Sequence, residues 1–294
     1  MVIICGCSIF AFGMGALYFL GIFPPLPRCT IRDFSSLRAA DQQPLISQAA
    51  AYLKQLHWSV SSTPTLDSFS GNRIRLEYRN VNEGLPQITL VIAAKTGKLL
   101  SAENRLHAAS YPLTAAKLKP DIALALSRRY AGIAGFSLDG LQLTGNHTMH
   151  SNTNIINPWV VSYQRAYHNY CFNRDLAVFV LNPATGDLLR MAIYISSPLP
   201  HSTVPRISKG LVERLATVVF IAKTGIYPFP ITSSELVIVS YGDDDSGTPY
   251  GSRLAWDVSF TSRSHQQANV WIDATACRVI GIGIANGLLP VQNF

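Results

Sequence analysis

The sequence predicts an α+β fold: an N-terminal transmembrane helix followed by three tandem modules, each one helix packed on a small curved antiparallel sheet. Three observations predict it. A turn motif recurs at Lys95-Thr96-Gly97, Ala184-Thr185-Gly186 and Ala274-Thr275-Ala276, with the threonines 89 and 90 residues apart. Upstream of each turn, large apolar residues alternate along Ile74–Tyr78, Trp159–Tyr163 and Trp256–Phe260, and a period of two places them on one face of a strand. Ahead of each of these lies a stretch with apolar residues at helical spacing. A spacing of this length marks a repeat architecture.

The elements follow in order. The first helix is predicted at Pro44–His57, with Leu45, Ala49, Tyr52, Leu53 and Leu56 near one face. The second is predicted at Thr114–Tyr130, with Thr114 as N-cap, Pro120 in its first turns, and Leu118, Ile122, Ala125 and Leu126 in sequence along it. The third is predicted at Ser208–Lys223, capped by Ser208, closed by Gly225, with Leu211, Leu215, Val218 and Val219 inward. Three strands follow each helix, and the last two form a hairpin whose Thr-Gly turn uses the conformational freedom of glycine. The third copy has Ala276 where the others have glycine and reads one residue longer, so a different turn is predicted there. The resulting segments are an anchor or uncleaved signal at 1–23, a linker at 24–43, and modules at 44–108, 109–197 and 206–286.

Between Val2 and Phe23 there is no charge, and Ser8 is the one clearly polar residue. That length suits a membrane-spanning helix, which Pro24, Pro25 and Pro27 end. Neither a basic start nor a small-x-small cleavage site is present, so an uncleaved anchor is predicted. Arg28, Arg32 and Arg38 follow the span, and the positive-inside rule applied to them points the bulk of the chain to the cytosol. The net charge of +7 comes from scattered residues, the longest basic run being Arg128-Arg129. Without a recognition motif this charge excludes nucleic acid as the predicted partner and suits anionic headgroups better.

The Trp-led strand with the Asn-Pro-Ala-Thr-Gly or Asp-Ala-Thr-Ala turn resembles the PepSY-type domain. The stretch Trp159–Gly186, with Tyr163-Gln164-Arg165, Asn173-Arg174-Asp175 and Thr185-Gly186, is similar to tandem PepSY-like repeats of bacterial exported proteins. The resemblance covers Pro44–Ile284 and is weaker in the first copy. It implies a single-pass protein of the cell membrane with extracytoplasmic modules, associated with inhibition or regulation of peptidases and with signalling. It supplies no catalytic residue.

No metalloprotease helix, phosphate-cradling loop or Gly-x-Ser-x-Gly elbow occurs in the chain, and no catalytic, cofactor or metal site is predicted. His147 and His150, with His168, lack the further ligands that structural zinc wants. The consecutive Asp243, Asp244 and Asp245 read as a turn rather than a calcium loop. Cys171 and Cys277 are candidates for a disulfide, given an exported chain. The predicted binding residues are Trp159, Tyr163, Tyr167 and Trp256: aromatic anchors for a protein or peptide partner, a peptidase or sensor kinase among them. Against this non-enzymatic binding or regulatory role stand two alternatives, a hydrolase with a site assembled from distant residues and a purely structural envelope protein.

Overall fold

The computed structural model describes residues 39–60, 62, 64–69, 73–79, 86–94, 96–105, 118–148, 158–195, 197–224, 230–243, 248–261 and 267–284. The predicted span at 2–23 lies outside them. Among the described residues no helix is long and apolar enough to cross a membrane.

A helix followed by four strands occurs three times. Helix α1 (Ala39–Gln55) precedes β1 (Thr65–Phe69), β2 (Arg73–Arg79), β3 (Pro86–Ala93) and β4 (Leu99–Asn104). Helix α2 (Pro120–Ile133) precedes β5 (Leu141–Thr148), β6 (Trp159–Tyr167), β7 (Tyr170–Leu181) and β8 (Leu188–Tyr194). Helix α3 (Lys209–Thr224) precedes β9 (Ile231–Asp243), β10 (Thr248–Thr261), β11 (Gln267–Asp273) and β12 (Val279–Ile284). The extra strand opens each set. In the second set it includes Gly145, Asn146 and His147, residue types that by themselves suit a loop.

Helix starts also differ from expectation. The first begins inside the predicted linker, at Ala39. The second begins at Pro120, with Lys119 as a cap whose side chain makes no bond. Proline suits that position, since its missing N–H is one that a helix start leaves unpaired anyway. Thr114 lies outside the described residues.

The chain divides into two compact units; their described residues are 39–164 and 176–195 in one, and 165–175 and 197–284 in the other. The modules expected at 44–108 and 109–197 share the first unit because their sheets join. β4 and β8 pair antiparallel through Ser101↔Ala192, Ala102↔Met191 and Glu103↔Arg190. The strand order is β1-β2-β3-β4-β8-β7, continued by β6 on β7 and β5 on β6. One apolar cluster runs under both helices, including Ala49, Leu53, Ile92, Leu99, Ala123, Tyr130, Phe179 and Met191. In the second unit β9, β10, β11 and β12 pair in chain order, all antiparallel. Phe172 of the 165–175 segment pairs in parallel with Ile238.

The buried helix faces are not all those predicted. α2 buries Ala123, Ser127, Tyr130 and Ala131, while Ile122 is exposed. α3 buries Val212, Ala216 and Phe220, while Leu211 and Val218 are exposed. Small residues at the point of closest approach let a helix settle on the sheet, and the larger apolar residues beside them turn outward. Phe220 then stacks on Phe260 at 5.2 Å between centroids, an arrangement that adds to its area burial.

All three hairpin turns have one geometry. Ala93 N–H donates to Lys98 O, Asn182 N–H to Asp187 O, and Asp273 N–H to Arg278 O, at 2.9, 2.8 and 2.8 Å. The left-handed residue is Gly97 at φ 68°, Gly186 at φ 79° and Cys277 at φ 53°. The third turn is therefore the same length as the others, with Cys277, not Ala276, in the glycine place. Its strain is offset by Asp273, whose Oδ1 accepts from Thr275 N–H, Thr275 Oγ1–H and Ala276 N–H. Asn182 Oδ1 does the same for Ala184 and Thr185 N–H. Burial favours the neutral form of Asp273, but these bonds and Arg253 together hold its carboxyl below the ordinary value.

Two substitutions test this turn. Cys277→Gly removes a left-handed cost of about 1–2 kcal/mol, partly offset by glycine's unfolded freedom, so a net gain of up to about 1 kcal/mol is expected in chemical denaturation. Gly186→Ala is expected to lose at least about 1 kcal/mol, since its new Cβ stands 2.6 Å from Leu126 Cδ1 at φ +79°.

Candidate functional site

Trp159 opens the second strand of its set and Trp256 lies just past the middle of the second strand of its own, and both reach the start of their own helix. Trp159 Nε1–H donates to Asn146 Oδ1 at 2.7 Å, and Asn146 Nδ2–H donates to Pro120 O at 3.0 Å. Trp256 Nε1–H donates directly to Ile207 O at 3.1 Å. Trp159 is buried and Trp256 half-buried. Their polar tips are thus taken by the fold. Tyr163 is buried too, sharing a 2.7 Å hydrogen bond with Ser127 Oγ and meeting Phe179 edge-on. Tyr167 is half-buried and stacks on His168 at 4.1 Å. His168 and Asn169, at φ 49° and 70°, form the two-residue turn that reverses the chain between β6 and β7.

Of the four, Tyr163 lines a groove. This groove, of about 430 Å³, lies in the first unit and is bounded by Leu124, Arg128, Phe136–Asp139, Leu141, Leu143 and Tyr163. Helix α2 supplies Leu124 and Arg128, and β5 supplies Leu141 and Leu143. Among the described residues β5 pairs with β6 alone, so among them its other side is a sheet edge. Leu143 is 48% exposed there. Lys98 Nζ sits 4.8 Å over the Phe136 ring, and Asp139 accepts from Ser137 Oγ–H at 2.6 Å. A trough of mixed lining, with Leu124, Phe136, Leu138, Leu141 and Leu143 beside Arg128 and Asp139, next to a strand edge, has the chemistry to hold an extended chain. Neither Phe136 nor Leu143 is among the binding residues the sequence predicts, and Arg128 stands there only as part of a basic run. The short alternation Leu141-Gln142-Leu143 after Gly140 was the available signal.

Two buried polar clusters lie in the second unit. Arg165 Nη1–H donates to Asp175 Oδ2 at 2.9 Å and to Ser197 O at 2.6 Å. Ser197 Oγ–H donates to Asp175, and Ser240 Oγ–H to Ser197. The buried Asp175 carboxylate is fully engaged, so this cluster is a structural pin. The second centres on Asp257, 2% exposed, which accepts from Asn269 Nδ2–H at 2.7 Å. Burial pushes its carboxyl from 3.8 to about 6, against that hydrogen bond, and Glu235 adds to the rise. Glu235 stands directly across the β9–β10 pair.

The remaining sequence candidates are dispersed. His147 is half-buried on β5, and His168 shares a 2.9 Å hydrogen bond with Thr203. His150, Asp244 and Asp245 lie outside the described residues. Among those described, no three metal-ligating side chains gather at one place. No disulfide joins the buried Cys171 to the exposed Cys277.

No protein-family model and no curated protein matches the chain. Among solved structures it is similar to the Bacillus megaterium YpeB C-terminal domain, at 10% identity and TM-score 0.36, over 82% of this chain and 97% of that one. It is also similar to an uncharacterized protein from Eubacterium rectale, at 10% identity and TM-score 0.44, over 83% and 82%.

The raised Asp257 carboxyl has a pH signature. Its protonation stabilises the folded form fully below the unfolded value of 3.8, and that contribution is lost as pH rises through about 6. Lowering the pH from ~7.5 to ~4.5 should therefore improve wild type relative to Asp257→Asn by about 2 kcal/mol, read from urea midpoints. A gap between the two proteins that stays constant with pH means that Asp257 titrates at its ordinary value.

Proposed function

We propose that this chain is a non-enzymatic binding or regulatory protein that takes an extended peptide segment of a protein partner along the open edge of β5. In this reading residues 2–23 tether it to the membrane and the folded part lies outside the cytoplasm. The observation that carries the peptide-binding part is Leu143, which is half exposed on an edge strand and faces the groove with Phe136, Leu138 and Tyr163. Strand addition supplies main-chain hydrogen bonds, and the groove takes alternate side chains. Arg128 in the wall and Lys98 beside Phe136 favour a segment with apolar anchors and an acidic residue. The resemblance of the Trp159–Gly186 stretch to PepSY-type modules supports a peptidase or a sensor protein as the partner class.

Panning a random peptide library against the full chain tests this reading. Selected peptides should carry apolar residues two apart and an acid. Leu143→Asp should weaken their binding about tenfold or more, the equivalent of about 1.4 kcal/mol or more. Val204→Asp, on the other unit, should leave it unchanged. Selection of no peptide, or binding that ignores Leu143, overturns the proposal.

A further inference from the structure

Helix α3 is apolar on two opposite sides. One side, Val212, Ala216 and Phe220, is buried against the sheet of the second unit. On the other, Gly210, Leu211, Arg214, Val218, Ile221 and Ala222 are all exposed. At 100° per residue these six positions span an arc of about 120°. Leu211 is 52% exposed and Val218 62%. A surface helix normally turns charged residues to water, and an apolar outer face marks an interaction site.

Charge identifies the occupant. Arg214 is the single charged residue on this face. Its neighbour Glu213 accepts a hydrogen bond from Ser234 at 2.8 Å, and Lys209 approaches the same carboxylate at 3.9 Å. Immediately before the helix Val204 is 67% exposed, in a segment with the exposed Arg206. Large apolar side chains beside Arg214, with the exposed Arg206 just ahead of the helix, on a chain of net charge +7, match a layer that is apolar beneath and anionic at its surface. Pairing with a second copy gathers these cations on both sides of one interface, with the nearest acid already engaged.

We propose that the outer face of α3 docks on an anionic lipid bilayer, with Leu211, Val218 and Ile221 entering below the headgroups and Arg214 meeting their phosphates. This surface belongs to the second unit, and the peptide groove of the first does not enter the proposal.

Hydrogen exchange on the full chain, bound to phosphatidylcholine vesicles with and without phosphatidylglycerol, tests it. Both vesicles offer the same apolar interior to residues 2–23, so the difference isolates the anionic contact. Amides of 209–224 should exchange at least about fivefold slower on the anionic vesicles, while those of 120–133 stay unchanged. The double variant Leu211→Glu with Val218→Glu should lose this protection while keeping that of β10 and β11. Arg214→Glu should remove the dependence on phosphatidylglycerol. Equal exchange on the two vesicles overturns the proposal. So does protection that persists in the double variant, or that rises with protein concentration without lipid, which means a second copy covers the face.

Discussion

The left-handed residue at the last hairpin of each set is the constraint on which the remaining structure depends. It closes the turn between the third and fourth strands, and in the first two sets it also receives the helix. Tyr52 Oη–H and Gln48 Nε2–H both donate to Gly97 O, at 2.7 and 2.8 Å. Tyr130 Oη–H donates to Gly186 O at 3.3 Å. The chain entering the helix is tied to the same turn, through Leu118 N–H to Pro183 O and Arg206 N–H to Ala274 O. A Cβ at Gly97 would stand 2.2 Å from Gln48 Nε2 and push that side chain off its hydrogen bond to Gly97 O. In the second set turn, helix entry and helix body are thus locked at one point, while the first set shares the helix-body tie and the third the entry tie; these ties align each helix along its sheet and leave the face selection to packing.

From that alignment the β4–β8 junction follows. With both helices of the first unit over one face, the two sheets complete each other edge to edge, and their apolar residues merge into one core. Larger cores bury a greater share of the chain's surface, so joining stabilises both sets. The junction removes one edge from each set and leaves β1 and β5 as the outer strands. An open edge is a template for pairing with another chain. β5 is the one that faces a groove, which connects the architecture to the proposed strand addition.

Buried polar groups divide by how well they are satisfied. Asp175 and Asp273 sit in dense hydrogen-bond sets with an arginine each, at 2.9 Å in both cases. Removing one partner of such a pair leaves a costly unpaired charge, so these clusters specify geometry. Asp257 has Asn269 as a neutral partner and a second carboxyl opposite, and burial wins. Its raised value is a consequence of position.

The amino-acid sequence alone determined the α+β class, the threefold recurrence of helix and strands, and the strand placement of Trp159 and Trp256, because alternation and turn chemistry are local properties of the chain; that a further strand precedes each Trp-led strand was not legible in it. It also marked the glycines of the first two turns. What only the tertiary structure decided is less local. Cys277 took the glycine place because the hydrogen bonds of Asp273 hold the turn regardless of that residue's own preference. The outward face of α3 could not be read, since a helix with apolar residues on most sides has no preferred face until Ala216 meets the sheet. Likewise the groove at Leu143 arises from α2, the 136–139 segment and β5 converging, and no spacing along the chain encodes which segments will meet.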